Sequence, residues 1–167
     1  MADTPTKVPL ATTTLCSSVA SYTFSSIPST YTDLILVAWI APTLGTGTSI
    51  MAVKLNSDTT NYSGTGLLGT GTAVQSSRYT GLSGLPIAGY NNGSGTGNIN
   101  IICHFQNYSN TTTYKTMIAR ADNASFQTEA SVGLWRKTPE AINSIQIYNY
   151  GGVNLTAGST FTLYGIL

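Results

Sequence analysis

Residues 33–40 read DLILVAWI, a run in which apolar side chains occupy both the odd and the even positions. A strand with one face on a core alternates apolar and polar residues. A run this continuous is instead typical of a central strand that is covered on both faces. The sequence therefore predicts that residues 33–40 form a central, doubly covered strand of a β-protein.

Other short segments show the period-two alternation of strands. In residues 98–105, for example, Ile99, Ile101, Cys103 and Phe105 fall on one face. The remaining predicted strands cover residues 20–25, 50–55, 114–120, 131–136, 144–148 and 160–166. Eight or nine such strands, separated by Gly, Pro and Asn, predict an all-β fold: a two-sheet antiparallel β-sandwich, jelly-roll-like.

The chain divides into an arm and one domain. Residues 1–10 contain Pro5 and Pro9 and few apolar anchors, so we expect an extended N-terminal arm. Residues 11–167 have the length of a single sandwich domain with a full core.

Gly- and Thr-rich stretches interrupt the domain at residues 45–48, 64–72 and 93–98, and we interpret them as loops. The excursion at 64–97 is long enough to hold a hairpin around residues 74–79. The best helical signal, at residues 138–141, predicts a turn or two.

The low charge of the chain limits its partners. Only 8% of the 167 residues are charged, and the formal net charge is +1, which argues against binding of nucleic acid. The longest apolar run, residues 34–42, is too short to cross a bilayer. No basic-then-apolar leader opens the chain, so we expect maturation in a cytoplasm.

The reactive side chains form no catalytic or metal-binding pattern. His104 is the single histidine, and we expect it to hydrogen-bond locally on its strand. Cys103 and His104 are consecutive, so on a strand they point to opposite faces and cannot share a metal. Cys16 and Cys103 are expected to be thiols rather than a disulfide. We therefore predict no enzyme activity, no metal and no cofactor.

Three kinds of polar residue remain. Six acidic residues are spread along the chain with no local pairing that favours a glycosidase. Arg120 and Arg136 lie on strand-like segments, and we expect them to donate to backbone or carboxylate groups. Most of the ten tyrosines are expected at the core or its rim.

Molecules with a sparsely charged surface repel one another weakly, which favours a protein that functions as part of an assembly. A specific resemblance points the same way. Its residues are, in chain order, ATTTL at 11–15, FSSIP at 24–28, YTDLIL at 31–36, NYS at 61–63, NYSNTT at 107–112, YKT at 114–116, GLWR at 133–136, INSI at 142–145 and AGSTFTLYGI at 157–166. In this order they resemble a family of virion structural proteins of tailed, cyanophage-like bacteriophages.

The resemblance implies a structural β-sandwich with no catalytic residues. We expect a capsid decoration (cement) protein made in the host cytoplasm and located on the capsid surface of the virion. Its expected partners are the major capsid protein and itself, as a homo-oligomer that we expect to be a trimer, with no nucleic acid and no membrane. The alternative is a tail or fibre module that recognises cell-surface carbohydrate; a carbohydrate-degrading enzyme is a third option.

Two groups of residues are predicted to form the interface. The first belongs to the arm, and the second to the excursion, because long loops of a sandwich commonly carry its contacts. The predicted interface residues are Thr6, Lys7, Val8, Pro9, Leu10, Arg78, Tyr79 and Tyr90.

Overall fold

The computed structural model describes residues 6–41, 50–89, 97–123 and 127–167. Twelve strands lie in these ranges: β1 Lys7–Thr14, β2 Ser21–Phe24, β3 Asp33–Ile40, β4 Met51–Leu55, β5 Tyr62–Gly69, β6 Val74–Leu82, β7 Leu85–Ala88, β8 Ile99–Gln106, β9 Lys115–Asn123, β10 Gln127–Trp135, β11 Ile145–Asn149 and β12 Thr160–Ile166. The described residues contain no helix. The helical turn predicted at 138–141 is wrong: the backbone bends there, and Ile142 N–H then donates to the carbonyl of Tyr108 at 2.9 Å.

The strands form two antiparallel sheets. The larger has eight strands in the order β1-β12-β3-β8-β9-β10-β5-β6, and the smaller has four in the order β2-β11-β4-β7. The predicted all-β, two-sheet antiparallel sandwich is confirmed. Strands β3 and β12 have the bounds expected from the sequence.

The core fills the space between the sheets. All four residues of β7 are buried, and this strand packs across β5, β8, β9 and β10 of the larger sheet. The close approach depends on Gly133, where an added Cβ would lie 2.8 Å from Leu85 Cδ2. The smaller sheet thereby covers one face of the larger sheet, and no described residue outside the larger sheet forms a layer over the other face.

Strand β3 is central, between β12 and β8, as predicted. Its predicted coverage on both faces is wrong for the isolated chain. Ile35 and Val37 are only half-buried and Trp39 is 37% exposed, because they point away from the smaller sheet. The continuous apolar run therefore marks a strand whose second face has no cover within the described chain.

The predicted arm at residues 1–10 needs a correction. Lys7–Thr14 forms strand β1, which pairs with β12 along its whole length, and Leu10 packs against the core. Pro9 is accommodated because β1 is an edge strand and its register shifts between Pro9 and Ala11. Residues 1–5 lie outside the described residues.

The excursion is more regular than predicted. The hairpin expected around 74–79 is confirmed as β5 and β6, which pair from Tyr62 and Leu82 to Gly69 and Val74. The loop predicted at 64–72 is wrong, since residues 64–69 belong to β5. Glycine disfavours strands, but pairing with β6 on one side and β10 on the other outweighs that preference. The Gly–Thr stretch at 45–48 and residues 93–96 lie outside the described residues.

Cys16 and Cys103 are both free thiols, as predicted, with Cys103 buried and Cys16 exposed. Among the described residues, no helix has the length and apolar character needed to span a bilayer.

Candidate functional site

The uncovered side of the eight-stranded sheet, which we call the outer face, carries every second side chain of its strands. The strand register aligns these side chains in rows across the sheet. One such row runs from Ile35 of β3 through His104, Ile118 and Val132 to Thr65 of β5. The outer face is therefore a broad surface rather than a collection of loops.

Three large apolar side chains lie together on this face. Ile118 and Val132 are directly paired between β9 and β10 and are 51% and 55% exposed. Leu67 of β5, 54% exposed, pairs with Ala130 and so lies diagonally next to Val132. We call Leu67, Ile118 and Val132 the apolar band. Clustered exposed apolar residues of this kind commonly mark an interaction site.

A cleft of about 440 Å³ lies beside the apolar band, where β5, β6 and β10 meet. We call it the arginine cleft. Its lining is Ser63, Gly64, Thr65, Arg78, Tyr79, Thr80, Val132, Gly133, Leu134 and Arg136. None of these lining residues is acidic. The cleft thus combines two guanidinium groups, several hydroxyls and an apolar floor.

The position of Arg136 follows from the residue before it. Trp135 is buried, stacks on Tyr62 at 6.2 Å between ring centroids, and donates from Nε1 to Asp58 Oδ2 at 2.6 Å. Since neighbouring strand residues alternate, the side chain of Arg136 is directed to the outer face, where its Nη1 donates to Ser63 Oγ at 3.0 Å. The expected partner of Arg136 was a backbone or carboxylate group, and the observed one is a hydroxyl.

Arg78 reaches the same cleft from the other side. It is exposed, its backbone pairs with Thr65 across β5 and β6, and its guanidinium has no hydrogen bond or ion pair within the described ranges. A guanidinium with no acceptor is available for a carboxylate or another anionic group.

A second cleft, of about 430 Å³, lies further along the outer face. It contains Arg120 together with Asp122, whose Oδ1 accepts a hydrogen bond from Asn100 Nδ2 at 2.8 Å. The guanidinium of Arg120 makes no hydrogen bond to the backbone or to a carboxylate within the described chain, so its predicted role is not observed. The carboxylate of Asp122 distinguishes this cleft from the arginine cleft.

The structure separates the two groups of predicted interface residues. Thr6 precedes the edge strand β1, which contains Lys7, Val8, Pro9 and Leu10. The ammonium of Lys7 lies 5.2 Å from the centroid of the Tyr164 ring.

The second predicted group lies on β6, at the opposite edge of the same sheet. Arg78 projects to the outer face and lines the arginine cleft. The Tyr79 ring lies on the other side of the strand, close to where a Cβ of Gly66 would be. Tyr90 lies outside the described residues.

His104 makes a hydrogen bond, as expected, but with a residue of the neighbouring strand β3 rather than locally on β8. Its Nε2 lies 2.8 Å from Asp33 Oδ2, on the neighbouring strand of the outer face, while Cys103 is buried on the inner face. No group of three or more His, Cys, Asp or Glu side chains that could hold a metal ion occurs in the described part of the chain.

The apolar band was not predicted from the sequence. Two of its residues could have been recognised, because Ile118 and Val132 are apolar side chains at strand positions that point to solvent. The outward residues of 33–40 are apolar side chains at positions of the same kind. What the sequence does not contain is the order of strands that places Leu67 beside Ile118 and Val132.

No protein-family model matches this sequence, and no curated protein matches it. Among solved structures, the chain is similar to the galectin LEC-6 of Caenorhabditis elegans, with 9% identity, a TM-score of 0.39, and coverage of 93% of this chain and 95% of that one. It is also similar to the alginate lyase Aly36B, with 10% identity, a TM-score of 0.36 and coverage of 93% and 77%. The PL-14 alginate lyase of Aplysia kurodai has 9% identity, a TM-score of 0.34 and coverage of 84% and 71%. Identities and TM-scores this low support no inference about what this chain binds.

Proposed function

We propose that this protein is a structural protein of a phage particle, a capsid decoration protein that binds neighbouring shell subunits through its outer face. The observation that carries the proposal is the apolar band, Leu67, Ile118 and Val132, in which each side chain is more than half exposed. Covering these side chains with a partner removes apolar surface from water, which is the main driving force of association.

Strand β3 gives independent support. Its outward residues Ile35, Val37 and Trp39 extend the apolar character of the outer face beyond the band. A partner on this face would provide the second cover that the run DLILVAWI predicts. The low charge of the chain keeps the cost of desolvating such an interface small.

The layout of the sheet suits a bridging role. The predicted contacts on β1 and β6 lie at opposite edges of eight strands, seven spacings apart, or roughly 34 Å along the sheet. One molecule would thus contact two neighbouring capsid subunits. Self-association as a trimer at a three-fold position would repeat these contacts.

Copy number tests the proposal. We expect hundreds of copies per purified particle by quantitative mass spectrometry, with the protein located on the shell by electron cryo-microscopy. Absence from the particle would refute the proposal.

A second candidate function is a tail or fibre module that binds host carbohydrate. The arginine cleft favours it, because a hydroxyl-lined site of about 440 Å³ has the volume of a small-molecule site. A handful of copies per particle, located on the tail, would support this second function over shell decoration.

A further inference from the structure

We propose that the arginine cleft binds an acidic saccharide, through a sugar carboxylate held between Arg78 and Arg136. This inference rests on the second candidate function, because Val132 lines the cleft and also belongs to the apolar band, so that a shell subunit docked on the band would compete with the sugar.

The charge of the cleft selects an anion. Two of the seven Lys and Arg residues of the chain line it, and none of its described lining residues is acidic. Neither guanidinium takes part in an ion pair within the described chain. The planar fork of arginine fits a carboxylate with two parallel hydrogen bonds, so a carboxylate is the anion that this geometry suits.

The other lining groups select a sugar rather than an acidic peptide. Ser63, Thr65 and Thr80 offer hydroxyls that both donate and accept hydrogen bonds, as ring hydroxyls require. Val132 and Leu134 provide an apolar floor for the C–H face of a ring. The carboxylate side chain of a peptide would use the arginines but carries no hydroxyls of its own to pair with those of the cleft, whereas a sugar ring presents several.

The cleft is also partly preorganised. The hydrogen bond from Arg136 to Ser63 holds that guanidinium in place before a ligand arrives, and the buried Trp135 fixes the backbone beside it. Groups that are already ordered lose less conformational freedom on binding, which increases affinity.

The test is calorimetric titration with trigalacturonate, its methyl ester and an uncharged galactose trisaccharide. We expect trigalacturonate to bind at least about tenfold more tightly than either uncharged trisaccharide, and to bind more weakly as salt is raised. R78Q and R136Q should each weaken its binding by about tenfold or more. R120Q is the matched control: Arg120 is exposed on the same face but lies outside the cleft, so its loss should leave binding unchanged.

Three results would overturn the inference. They are no binding of trigalacturonate by the wild-type protein, equal binding of the acid and its methyl ester, and equal loss of affinity in R120Q and R78Q. Tighter binding of a triglutamate peptide than of trigalacturonate would also overturn it, and would assign the cleft to a protein partner. None of these results alters the copy number, so failure here is distinguishable from failure of the decoration proposal.

Discussion

Replacing the apolar band by hydroxyls should weaken docking to the shell without unfolding the protein. The perturbation is the double variant I118T/V132T. Threonine keeps the β-branched shape that suits a strand, so the change removes apolar surface and leaves the backbone preference intact.

The magnitude follows from the exposure of the two side chains. Fully burying an Ile or Val side chain contributes roughly 1.5–3 kcal/mol. Since Ile118 and Val132 are 51% and 55% exposed, about half of that contribution is still available to a partner. The pair should therefore lose about 2 kcal/mol of docking free energy, which is roughly thirtyfold in Kd.

The assay is binding of labelled protein to purified shells that lack it, followed by sedimentation. Y150T is the matched control, because Tyr150 is 45% exposed and directly follows β11 of the smaller sheet, away from the outer face. The free energy of unfolding of each variant, measured in urea, should stay within about 1 kcal/mol of wild type. If I118T/V132T bound shells with wild-type affinity, as Y150T is expected to, the assignment of the band as the docking surface would be refuted.

Three further predictions concern the fold. G165A should destabilise the protein by about 1–3 kcal/mol in urea unfolding, because the new Cβ would lie 2.4 Å from the Tyr31 ring. In the double variant G165A/Y31L, the smaller side chain should recover part of that loss. An unchanged unfolding midpoint in G165A would contradict the packing. Burial raises the pKa of Asp58, but hydrogen bonds from Trp135 and Thr60 outweigh burial and hold that pKa below the ordinary 3.8. The ionised carboxylate therefore contributes stability that is present above pH 3.8 and is lost as the pH falls through the lower pKa of the folded protein. D58N should thus be less sensitive to acid than wild type in urea unfolding followed by tryptophan fluorescence, and parallel pH profiles would exclude this role. Burial raises the pKa of the Cys103 thiol, so iodoacetamide should modify one of the two cysteines in the native protein and both in urea; rapid double modification of the native protein would contradict its burial.

The fold was predictable where local pattern and tertiary context agree. Residues 33–40 and 160–166 became β3 and β12 with their predicted bounds, since the first is a long apolar run and the second alternates the apolar Phe161 and Leu163 with threonines. Strand β5 was missed because Gly64, Gly66 and Gly69 predict a loop, and only its two neighbouring strands make it a strand. Local preference alone does not contain those neighbours.

The candidate site was predictable in part. Arg78 was singled out as an interface residue, and it lines the arginine cleft. Arg136 was recognised as a donor but not as the second guanidinium of the same cleft. The two lie 58 positions apart in sequence (136 − 78) and meet only because β10, β5 and β6 are adjacent in the sheet. The order of strands in the sheet cannot be predicted from the local sequence of either segment.

The two edges of the larger sheet differ in how they can meet a partner. At one edge, Pro9 lacks an N–H and the register of β1 shifts beside it, so this edge is poorly suited to accept another strand. At the other edge, the nine residues of β6 contain no proline and one charged residue, Arg78. The β6 edge therefore offers its backbone to an extended segment of a partner, whereas the β1 edge offers side chains such as Lys7. A bridging protein with these edges would hold its two neighbours by different contacts, which gives it a defined orientation between them.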